Sequence, residues 1–294
     1  MNSFKIGKIL IPIDFSETSL LAIEHAAYIA QSFQAELVLL HVVEKHWEKF
    51  SIVVPEMRIN APEGIINAIE KRLEDIAKSI FLNYGVKSNC ITANGTIFSE
   101  IISVSREQNV DLIVMGTHGI SGFVEFFIGS NAYKVVTSSE CPVLTVQTHI
   151  TKIGFKNILL PIDNSIHSRQ KLNSAIIMAR HFSSQLHVVG LADFDDEKEL
   201  NKFEIKIEQI EEYIHKCNLS CTTRIVKGNN QAIMTAERAE ALGADLIIIM
   251  TDQEENISGR LLGTYAQQIV NHSKIPVMSI QPIFGNVPSW TDNG

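Results

Sequence analysis

The sequence predicts an α/β protein that consists of two tandem copies of one unit, each a five-stranded parallel-sheet α/β/α sandwich. Short apolar runs alternate along the chain with helix-length amphipathic segments, which is the pattern of βαβ units. The blocks of the first half recur in the second half. Hydrophobic residues make up 45% of the 294 residues, so each copy has enough apolar side chains for a core.

The repeat is visible in four pairs of segments. The matched segments are 8–14 with 157–163, 30–33 with 179–182, 111–115 with 245–249, and 141–143 with 275–277. Asp14 and Asp163 are 149 residues apart, whereas Asp111 and Asp245 are 134 apart, so the second copy is 15 residues shorter in its middle. We expect domains at 1–149 and 150–282, followed by a tail at 283–294.

The first copy is expected to contain five strands and four helices. Ser16 is placed to cap the first helix, which runs to about Phe33. Apolar residues at spacings of three or four predict a second helix from Ile65 to Ile80. The strands fall near 8–13, 36–43, 86–92, 111–115 and 143–147, and the later helices near 98–107 and 131–136.

The second copy is expected to repeat this order. Right-handed crossovers follow from the strand twist. Its strands fall near 157–162, 185–191, 220–226, 245–250 and 277–281, and its helices near 166–183, 196–216, 230–242 and 261–272.

The most informative stretch is 111–147, which we interpret as strand, glycine loop, helix and strand. Gly116 and Gly119 lack a Cβ, so their backbone can take a positive φ and let a ligand come close. Gly129, Ser130 and Asn131 stand where a helix begins, and its N–H groups and dipole favour a phosphate. The alternative is a glycine-rich turn that binds no ligand.

The ends of the predicted strands carry further candidate residues, because open α/β sheets bind ligands at the carboxyl ends of their strands. Asp14 ends the first strand, and its carboxylate can accept hydrogen bonds from ribose hydroxyls. The alternative for Asp14 is a turn or a helix cap. Pro12, Ile13 and Met115 would be apolar neighbours of a base, or simply part of the core.

Composition and missing motifs exclude several classes of function. A net charge of −8 argues against a general nucleic-acid or anionic-membrane binder. The sequence contains no window of about 20 apolar residues, the length that a membrane-spanning helix needs. The P-loop, the Gly-x-Ser-x-Gly nucleophile elbow and the His-Glu-x-x-His motif are also missing. These observations predict no catalytic residues.

The four cysteines predict neither disulfides nor a metal site. Their low number fits a reducing compartment, so we expect a cytoplasmic protein. Cys217 and Cys221 lie four residues apart, but only His215 is near them in the sequence. A zinc site usually has more ligands at regular spacing, so no metal site is expected here.

The spacing Gly116-x2-Gly119-x9-Gly129-Ser130 resembles the ATP-binding motif of the universal stress protein family. Residues 8–16, 39–42 and 141–144 resemble the family's opening, second and last strands. The resemblance covers about 5–147 strongly and 155–281 more weakly. It implies a Rossmann-like, adenine nucleotide alpha hydrolase-like fold. It also implies an ATP-binding stress or regulatory module, with a slow ATPase or a ligand-free interaction scaffold as the alternatives.

The resemblance also implies roles for individual residues. Asp14 would contact the ribose or the adenine side of the nucleotide, and Val42 would meet adenine largely through its backbone. The glycines would hold phosphates through backbone N–H groups. His118 lies inside the motif, and the alternative for it is an exposed loop histidine without a catalytic role. The ligand would be ATP, AMP or ADP, with Mg²⁺ or Mn²⁺ because the phosphate loop contains no lysine.

The family resemblance further implies an intramolecular pseudo-dimer. Members of the family commonly pair through the last strand of each domain, so residues 143–147 and 277–281 would pair with each other. This pairing would protect two exposed strand edges. A homodimer of the whole chain and an unidentified protein partner are left open.

The second copy departs from the motif at its main positions. Met250 and Gln253 replace Gly116 and Gly119, and Leu191 replaces Val42, whereas Asp163 is retained and Gly263-Thr264 keep the Gly-Ser position. The connecting loop carries Asp252, Glu254 and Glu255, whose carboxylates would repel a triphosphate. We infer one competent site in the first copy, unless the second copy binds a different or less charged ligand.

Overall fold

A computed structural model describes residues 5–44, 61–117, 128–148, 150, 152–251, 253–256 and 259–283. Within these ranges the chain forms a ten-stranded sheet, a separate two-stranded hairpin and eight helices. The predicted fold class, two tandem α/β units with a mostly parallel sheet, is confirmed. None of the helices described is long and apolar enough to cross a membrane.

The first copy contributes β1 to β5 and α1 to α4. In chain order these are β1 Lys8–Pro12, α1 Glu17–Phe33, β2 Glu36–Val43, α2 Ala61–Tyr84, β3 Ser88–Asn94, α3 Ile97–Glu107, β4 Leu112–Gly116, α4 Ser130–Ser138 and β5 Val143–Val146. Ser16 caps α1 as predicted, because its hydroxyl accepts a hydrogen bond from the backbone N–H of Ser19.

The second copy contributes β6 to β12 and α5 to α8. These are β6 Asn157–Ile162, α5 Leu172–Phe182, β7 Gln185–Ala192, α6 Glu197–Lys216, β8 Cys221–Lys227, α7 Gln231–Ala241, β9 Leu246–Met250, β10 Gln253–Asn256, β11 Gly259–Leu262, α8 Thr264–His272 and β12 Val277–Ile280.

Two helices of the second copy begin later than the sequence predicts. The helix expected from 166 begins at Leu172, and that expected from 261 begins at Thr264. The second difference arises because residues 253–256 and 259–262 pair as the antiparallel hairpin β10–β11, where we expected a loop.

The strand order of the main sheet is β3-β2-β1-β4-β5-β12-β9-β6-β7-β8. All neighbouring strands are parallel except β5 and β12, which are antiparallel. Each half therefore has the order 3-2-1-4-5, and the two halves meet at their last strands. The central strands β1, β4, β6 and β9 are almost wholly buried because helices cover both faces of the sheet.

The junction between the halves has a pseudo-twofold axis. Leu144 pairs with Met278, and the repeat offset of 134 makes these two residues the same position in the two copies. The side-chain amide of Gln147 donates to the Val270 carbonyl at 3.0 Å. Its counterpart Gln281 donates to the Val136 carbonyl at 3.3 Å. Such reciprocal contacts are those of an isologous dimer interface, and the expected pairing of the two last strands is present.

A matching aspartate ties the first strand of each copy to its fourth. Asp111 Oδ2 accepts hydrogen bonds from the backbone N–H groups of Gly7 and Lys8 at 2.8 and 3.0 Å. Asp245 Oδ2 does the same for Lys156 and Asn157 at 2.9 and 3.0 Å. The aspartate that opens the repeated apolar run is therefore explained by strand anchoring.

Helices α1 and α5 also meet at the junction, through aromatic side chains and a buried histidine. Tyr28 stacks on Phe182 with ring centroids 5.3 Å apart, and Phe155 packs edge-on against both rings. His25 is 0% exposed, and its Nδ1 has no hydrogen-bond partner among the described residues. Its Nε2 lies 3.4 Å from the Ile150 carbonyl oxygen. Burial lowers the pKa of the His25 imidazole.

This buried histidine predicts that acid destabilises the fold. His25 is neutral in the folded protein, but in the unfolded chain it binds a proton as the pH falls through about 6.5. Its contribution to stability is therefore full above pH 6.5 and is lost below it, by up to ~1.4 kcal/mol per pH unit. In urea unfolding at pH 7, 6 and 5, we expect His25→Met to reduce the pH dependence of the free energy of unfolding.

His187 contributes in the same direction, because burial also lowers its pKa. The His25 variant should therefore retain part of the pH dependence, and the double variant His25→Met/His187→Gln should retain less. An unchanged pH dependence in the single variant would contradict the assignment to His25.

Candidate functional site

A cavity of about 180 Å³ lies at the carboxyl ends of β1, β2 and β4. In the sheet β1 stands between β2 and β4, so the strand order reverses at β1. β1 pairs with β4 only at Ile9 and Leu10, and beyond these residues the two strands are no longer paired. The cavity therefore occupies the crevice in which open α/β sheets bind ligands.

Nine of the predicted site residues line this one cavity. They are Pro12, Ile13, Asp14, Val42, Met115, Gly116, Gly129, Ser130 and Asn131. The other two, His118 and Gly119, lie outside the described residues. The fold thus brings together side chains from three strand ends and one helix start, as the motif predicts.

The sequence analysis missed several residues that line the same cavity. Ile97 and Ile101 of α3 cover its apolar side, with Leu40 and His41 from β2 and Thr117 after β4. The spacing of four between Ile97 and Ile101 marks one face of a helix. This spacing is typical of a helix, but it does not show which cavity the helix covers.

Two short hydrogen bonds fix the strand ends that form the cavity floor. The Ile13 N–H donates to the Leu40 carbonyl at 2.7 Å, and His41 Nδ1 donates to the Ile13 carbonyl at 2.7 Å. Phe15, in the left-handed region at φ 62°, stacks on His41 with centroids 4.9 Å apart. The guanidinium of Arg72, a residue of α2, lies 4.8 Å from the centre of the Phe15 ring. These contacts hold the strand ends in place, and His41 takes part in them while it also lines the cavity.

Asp14 is both a turn residue and a cavity residue. Its Oδ1 accepts hydrogen bonds from the backbone N–H and the hydroxyl of Ser16, at 3.0 and 2.5 Å. Its Oδ2 makes no hydrogen bond within the described part of the chain, and the residue lines the cavity. One oxygen thus orders the turn before α1, while the other is available to a ligand.

Gly116 does not adopt the positive φ that a glycine allows. Its φ lies outside the left-handed region. A Cβ on Gly116 would lie 2.7 Å from Thr18 Cγ2 and 3.2 Å from the Thr18 carbonyl carbon. Glycine is required here because the first turn of α1 packs directly against the end of β4.

Gly129 holds the helix start through a main-chain contact. Its N–H donates to the Thr117 carbonyl at 2.7 Å, and a Cβ on it would lie 3.0 Å from that oxygen. The N–H of Gly129 is therefore engaged within the protein, contrary to the expectation that it would bind a phosphate. It positions the turn instead.

The first turn of α4 offers donors for an anion. No side chain caps it, and its first helical hydrogen bond runs from the Tyr133 N–H to the Gly129 carbonyl. The N–H groups of Ser130, Asn131 and Ala132 therefore have no acceptor within the helix. All three residues line the cavity. With the helix dipole, they favour a phosphate or carboxylate.

The second copy supports this helix start from outside. Asn271 Oδ1 on α8 accepts a hydrogen bond from the Ile128 N–H at 2.9 Å. The Tyr133 hydroxyl accepts one from the Leu262 N–H, at the end of β11, at 3.1 Å. Both contacts cross the junction between the copies, so the candidate site depends on residues that the first copy does not contain.

The matching place in the second copy is built differently. Met250, at the position of Gly116, is 3% exposed. Whereas α1 begins three residues after Asp14, α5 begins nine residues after Asp163. In the second copy a buried methionine side chain thus stands where Gly116 allows α1 to approach β4, and the corresponding helix starts later.

A lysine covers the loop after β6. Lys206 Nζ donates to the carbonyls of Asp163 and Ser165 at 2.8 and 2.9 Å, and burial lowers its pKa to about 8. Burial opposes ionisation of Asp163, but the Lys171 ammonium and hydrogen bonds from Ser165 and Ser168 hold the pKa of its carboxyl below the usual range.

The acidic loop of the second copy is only partly described. Asp252 lies outside the described residues, and the backbone of Glu254 and Glu255 lies in β10. The repulsion expected from these carboxylates stays a prediction.

Comparisons with known proteins agree with the tandem architecture. The model of the universal stress protein family matches this chain twice, at residues 5–147 and 154–281. Universal stress protein YxiE of Bacillus subtilis is 36% identical over 146 residues, which are 48% of this chain and 99% of that protein. Universal stress protein MJ0577 of Methanocaldococcus jannaschii is 32% identical over 152 residues, which are 48% of this chain and 94% of that protein.

Solved structures extend the likeness to the whole chain. The crystal structure of a universal stress protein from Archaeoglobus fulgidus covers 96% of this chain and 99% of its own, with a TM-score of 0.74 and 20% identity. At that identity the likeness concerns the fold. A universal stress protein solved in complex with cAMP covers 49% of this chain and 98% of its own length, with 23% identity and a TM-score of 0.37. The cAMP is a ligand of that protein.

The packing of Gly116 predicts that even a methyl group is costly there. We expect Gly116→Ala to lower the free energy of unfolding by roughly 1–3 kcal/mol, the usual cost of overpacking. Thr18→Ser removes the nearest methyl group, so adding it should restore part of the loss. Chemical denaturation of the single and double variants tests this expectation. A Gly116→Ala protein as stable as the parent would show that the packing is looser than described.

Proposed function

The chain belongs to the universal stress protein family, with one family domain in each half, and we propose that it is a nucleotide-responsive module with one ATP site, in the first copy. The observation that carries the proposal is the meeting of nine motif and strand-end residues around one cavity at the reversal of strand order. The proposed domains are 1–149 and 150–282. The low cysteine count supports a cytoplasmic location.

The chemistry of the cavity matches the parts of a nucleotide. Val42, Ile101 and Met115 give an apolar surface for a base. Asp14 Oδ2 would accept hydrogen bonds from ribose hydroxyls, and the N–H groups at the start of α4 would donate hydrogen bonds to the phosphates. Because β1 lies between β2 and β4, Asp14 stands between the base and phosphate ends.

The size of the cavity suits part of the ligand. About 180 Å³ is below the range of roughly 300–1,000 Å³ that is typical for whole ligands. The base and part of the ribose would occupy it, and the phosphates would extend past the first turn of α4 towards the motif residues His118 and Gly119. These two residues belong to the proposed site because the family motif places them there.

Phosphate charge would be balanced without a basic side chain. Among the described residues that line the cavity there is no Lys or Arg. Lys134 on α4 lies 4.6 Å from the centre of the Phe98 ring. We therefore retain Mg²⁺ or Mn²⁺ as the cation that enters with the nucleotide and supplies this charge balance. Recognition through backbone N–H groups is also compatible with ADP or AMP.

In the proposed response, nucleotide binding in the first copy changes the contacts at the junction with the second copy. A nucleotide held at the start of α4 would also restrain Ile128, whose N–H donates to Asn271 Oδ1 of the second copy. The changed surface would then be read by a protein partner. In this proposal the second copy is a scaffold, because Met250 replaces the motif glycine and Lys206 Nζ bonds to the carbonyl of Asp163 in the loop after β6.

Calorimetric titration tests the single site. We expect one ATP per chain with Mg²⁺, in protein first stripped of nucleotide. Asp14→Asn keeps an oxygen for the Ser16 turn but removes the charge, so it should weaken ATP binding about tenfold, the effect of a charged hydrogen bond. Asp163→Asn, at the same position in the second copy, is the matched control and should leave the affinity unchanged.

Other outcomes of this titration are equally informative. Two ATP per chain would contradict the scaffold role of the second copy, and no binding would leave an interaction protein without a nucleotide. Sustained phosphate release by the parent protein, lost in Asp14→Asn, would replace the binding module with a slow ATPase.

The contact between the copies predicts a remote effect on affinity. Asn271→Ala leaves the Ile128 N–H without its acceptor, so the start of α4 becomes less ordered. Loss of one hydrogen bond, about 1 kcal/mol, corresponds to roughly fivefold weaker ATP binding. Gln281→Ala removes a different bond across the junction, to Val136, and serves as the control. Equal effects of the two variants would attribute the loss to the interface as a whole.

A further inference from the structure

Three side chains of different chemistry converge on the second copy, away from the nucleotide cavity. Glu211 and His215 lie on α6, and Cys221 is the first residue of β8. One ligand atom of each lies within 4.8 Å of the other two. We propose that Glu211, His215 and Cys221 form a zinc-binding site.

The backbone geometry explains why these residues meet. Glu211 and His215 are four apart on a helix, so their side chains lie one turn apart on the same face. The chain then turns back within a few residues, with Asn218 in the left-handed region at φ 57°, and enters β8. Cys221 consequently starts its strand beside the last turns of α6. The converging positions are set by a helix and a strand, which hold a site more precisely than loops do.

The ligand set favours zinc among the common divalent ions. Zinc takes thiolate, imidazole and carboxylate ligands, and a site with three protein ligands and one open position is typical of it. Magnesium and calcium take oxygen ligands, so a sulfur and a nitrogen argue against them. Ligand atoms around tetrahedral zinc are separated by roughly 3–4 Å. The three ligand atoms lie within 4.8 Å of one another, close to that spacing, and the His215 side chain is exposed.

The surroundings of Glu211 fit this role. The Thr223 hydroxyl donates to Glu211 Oε2 at 3.0 Å. Metal-binding carboxylates are usually oriented by such a second hydrogen bond. Glu211 and Cys221 are half-buried and His215 is exposed, so the site is anchored from below and open to an ion from the solvent.

The first copy shows that the fold does not require these side chains. Ile80 and Ile214 are the last buried residues of α2 and α6, and aligning them places Ala77 and Phe81 opposite Glu211 and His215. The strand registers with Leu37 and Leu186 place Ser88 opposite Cys221. The same packing is thus achieved with three residues that would not form a metal site.

The proposed zinc site differs from the expectation from the sequence. The spacing of Cys217, Cys221 and His215 argues against a metal site, and it does not show that Glu211, ten residues before Cys221, lies beside that cysteine. Core packing of Cys221 remains the simpler role, and it explains the cysteine. It does not explain why a carboxylate and an imidazole lie beside the cysteine on the solvent side of α6.

The test is a titration of the full chain, first freed of metal, with Zn²⁺ against a chromophoric chelator. We expect one Zn²⁺ per chain, and at least tenfold weaker binding in His215→Ala and in Cys221→Ser. Cys217→Ser, in the neighbouring cysteine outside the cluster, should bind as the parent does. With Co²⁺, the parent should show a thiolate-to-metal absorption band that Cys221→Ser lacks and Cys217→Ser retains.

Circular dichroism and urea unfolding of each variant without metal separate loss of the site from loss of the fold. Failure of the parent to bind Zn²⁺, or equal binding by the parent, His215→Ala and Cys221→Ser, would overturn the proposal. The last result would assign the metal to other surface histidines. The ATP titrations above do not depend on this outcome, because the two sites share no residue.

Discussion

The antiparallel pairing of β5 with β12 is the constraint on which the rest of the molecule depends. Unpaired, each strand would leave an exposed edge of a parallel sheet. Pairing centred on Leu144 and Met278 removes both edges and joins the halves into one sheet. The same symmetry brings α8 beside the start of α4, so Asn271 can hold Ile128. The second copy therefore shapes the first-copy site without having to bind its ligand.

The two strand-end sites differ at one position, which is Gly116 in the first copy and Met250 in the second. Without a Cβ at Gly116, α1 starts close to β4 and its first turn helps to enclose the cavity. With Met250 in that place, a turn precedes α5 and Lys206 bonds to the loop carbonyls. The sheet register is the same in both copies, as β1 with β4 and β6 with β9 show. Packing above the strand ends, rather than the sheet, distinguishes the copies.

The spacing of apolar residues, and the Gly and Pro residues that bound the segments, predicted most of the fold, because buried strands and amphipathic helices depend on local sequence pattern. The motif also predicted which residues share a cavity, since the carboxyl ends of parallel strands lie at one edge. The reason for Gly116 could not be predicted, because it depends on Thr18, nearly a hundred residues away in the chain. The hairpin β10–β11 was missed for a related reason: its strands have four residues each, β10 is wholly polar, and α4 contacts the end of β11 through Tyr133.

Comparison of the copies separates residues that maintain the fold from residues with another role. Asp111 and Asp245 anchor the same strands, and Gln147 and Gln281 make reciprocal bonds, so the fold accounts for their identity in both halves. Residues that differ between the copies at equally packed positions need another explanation. Asp14 and Asp163 share a structural role, because both order a turn, but only Asp14 also lines the described cavity. A chain with an internal repeat thus contains its own control for structural necessity, and Glu211 and His215, which lie beside Cys221, are residues for which that control gives no structural account.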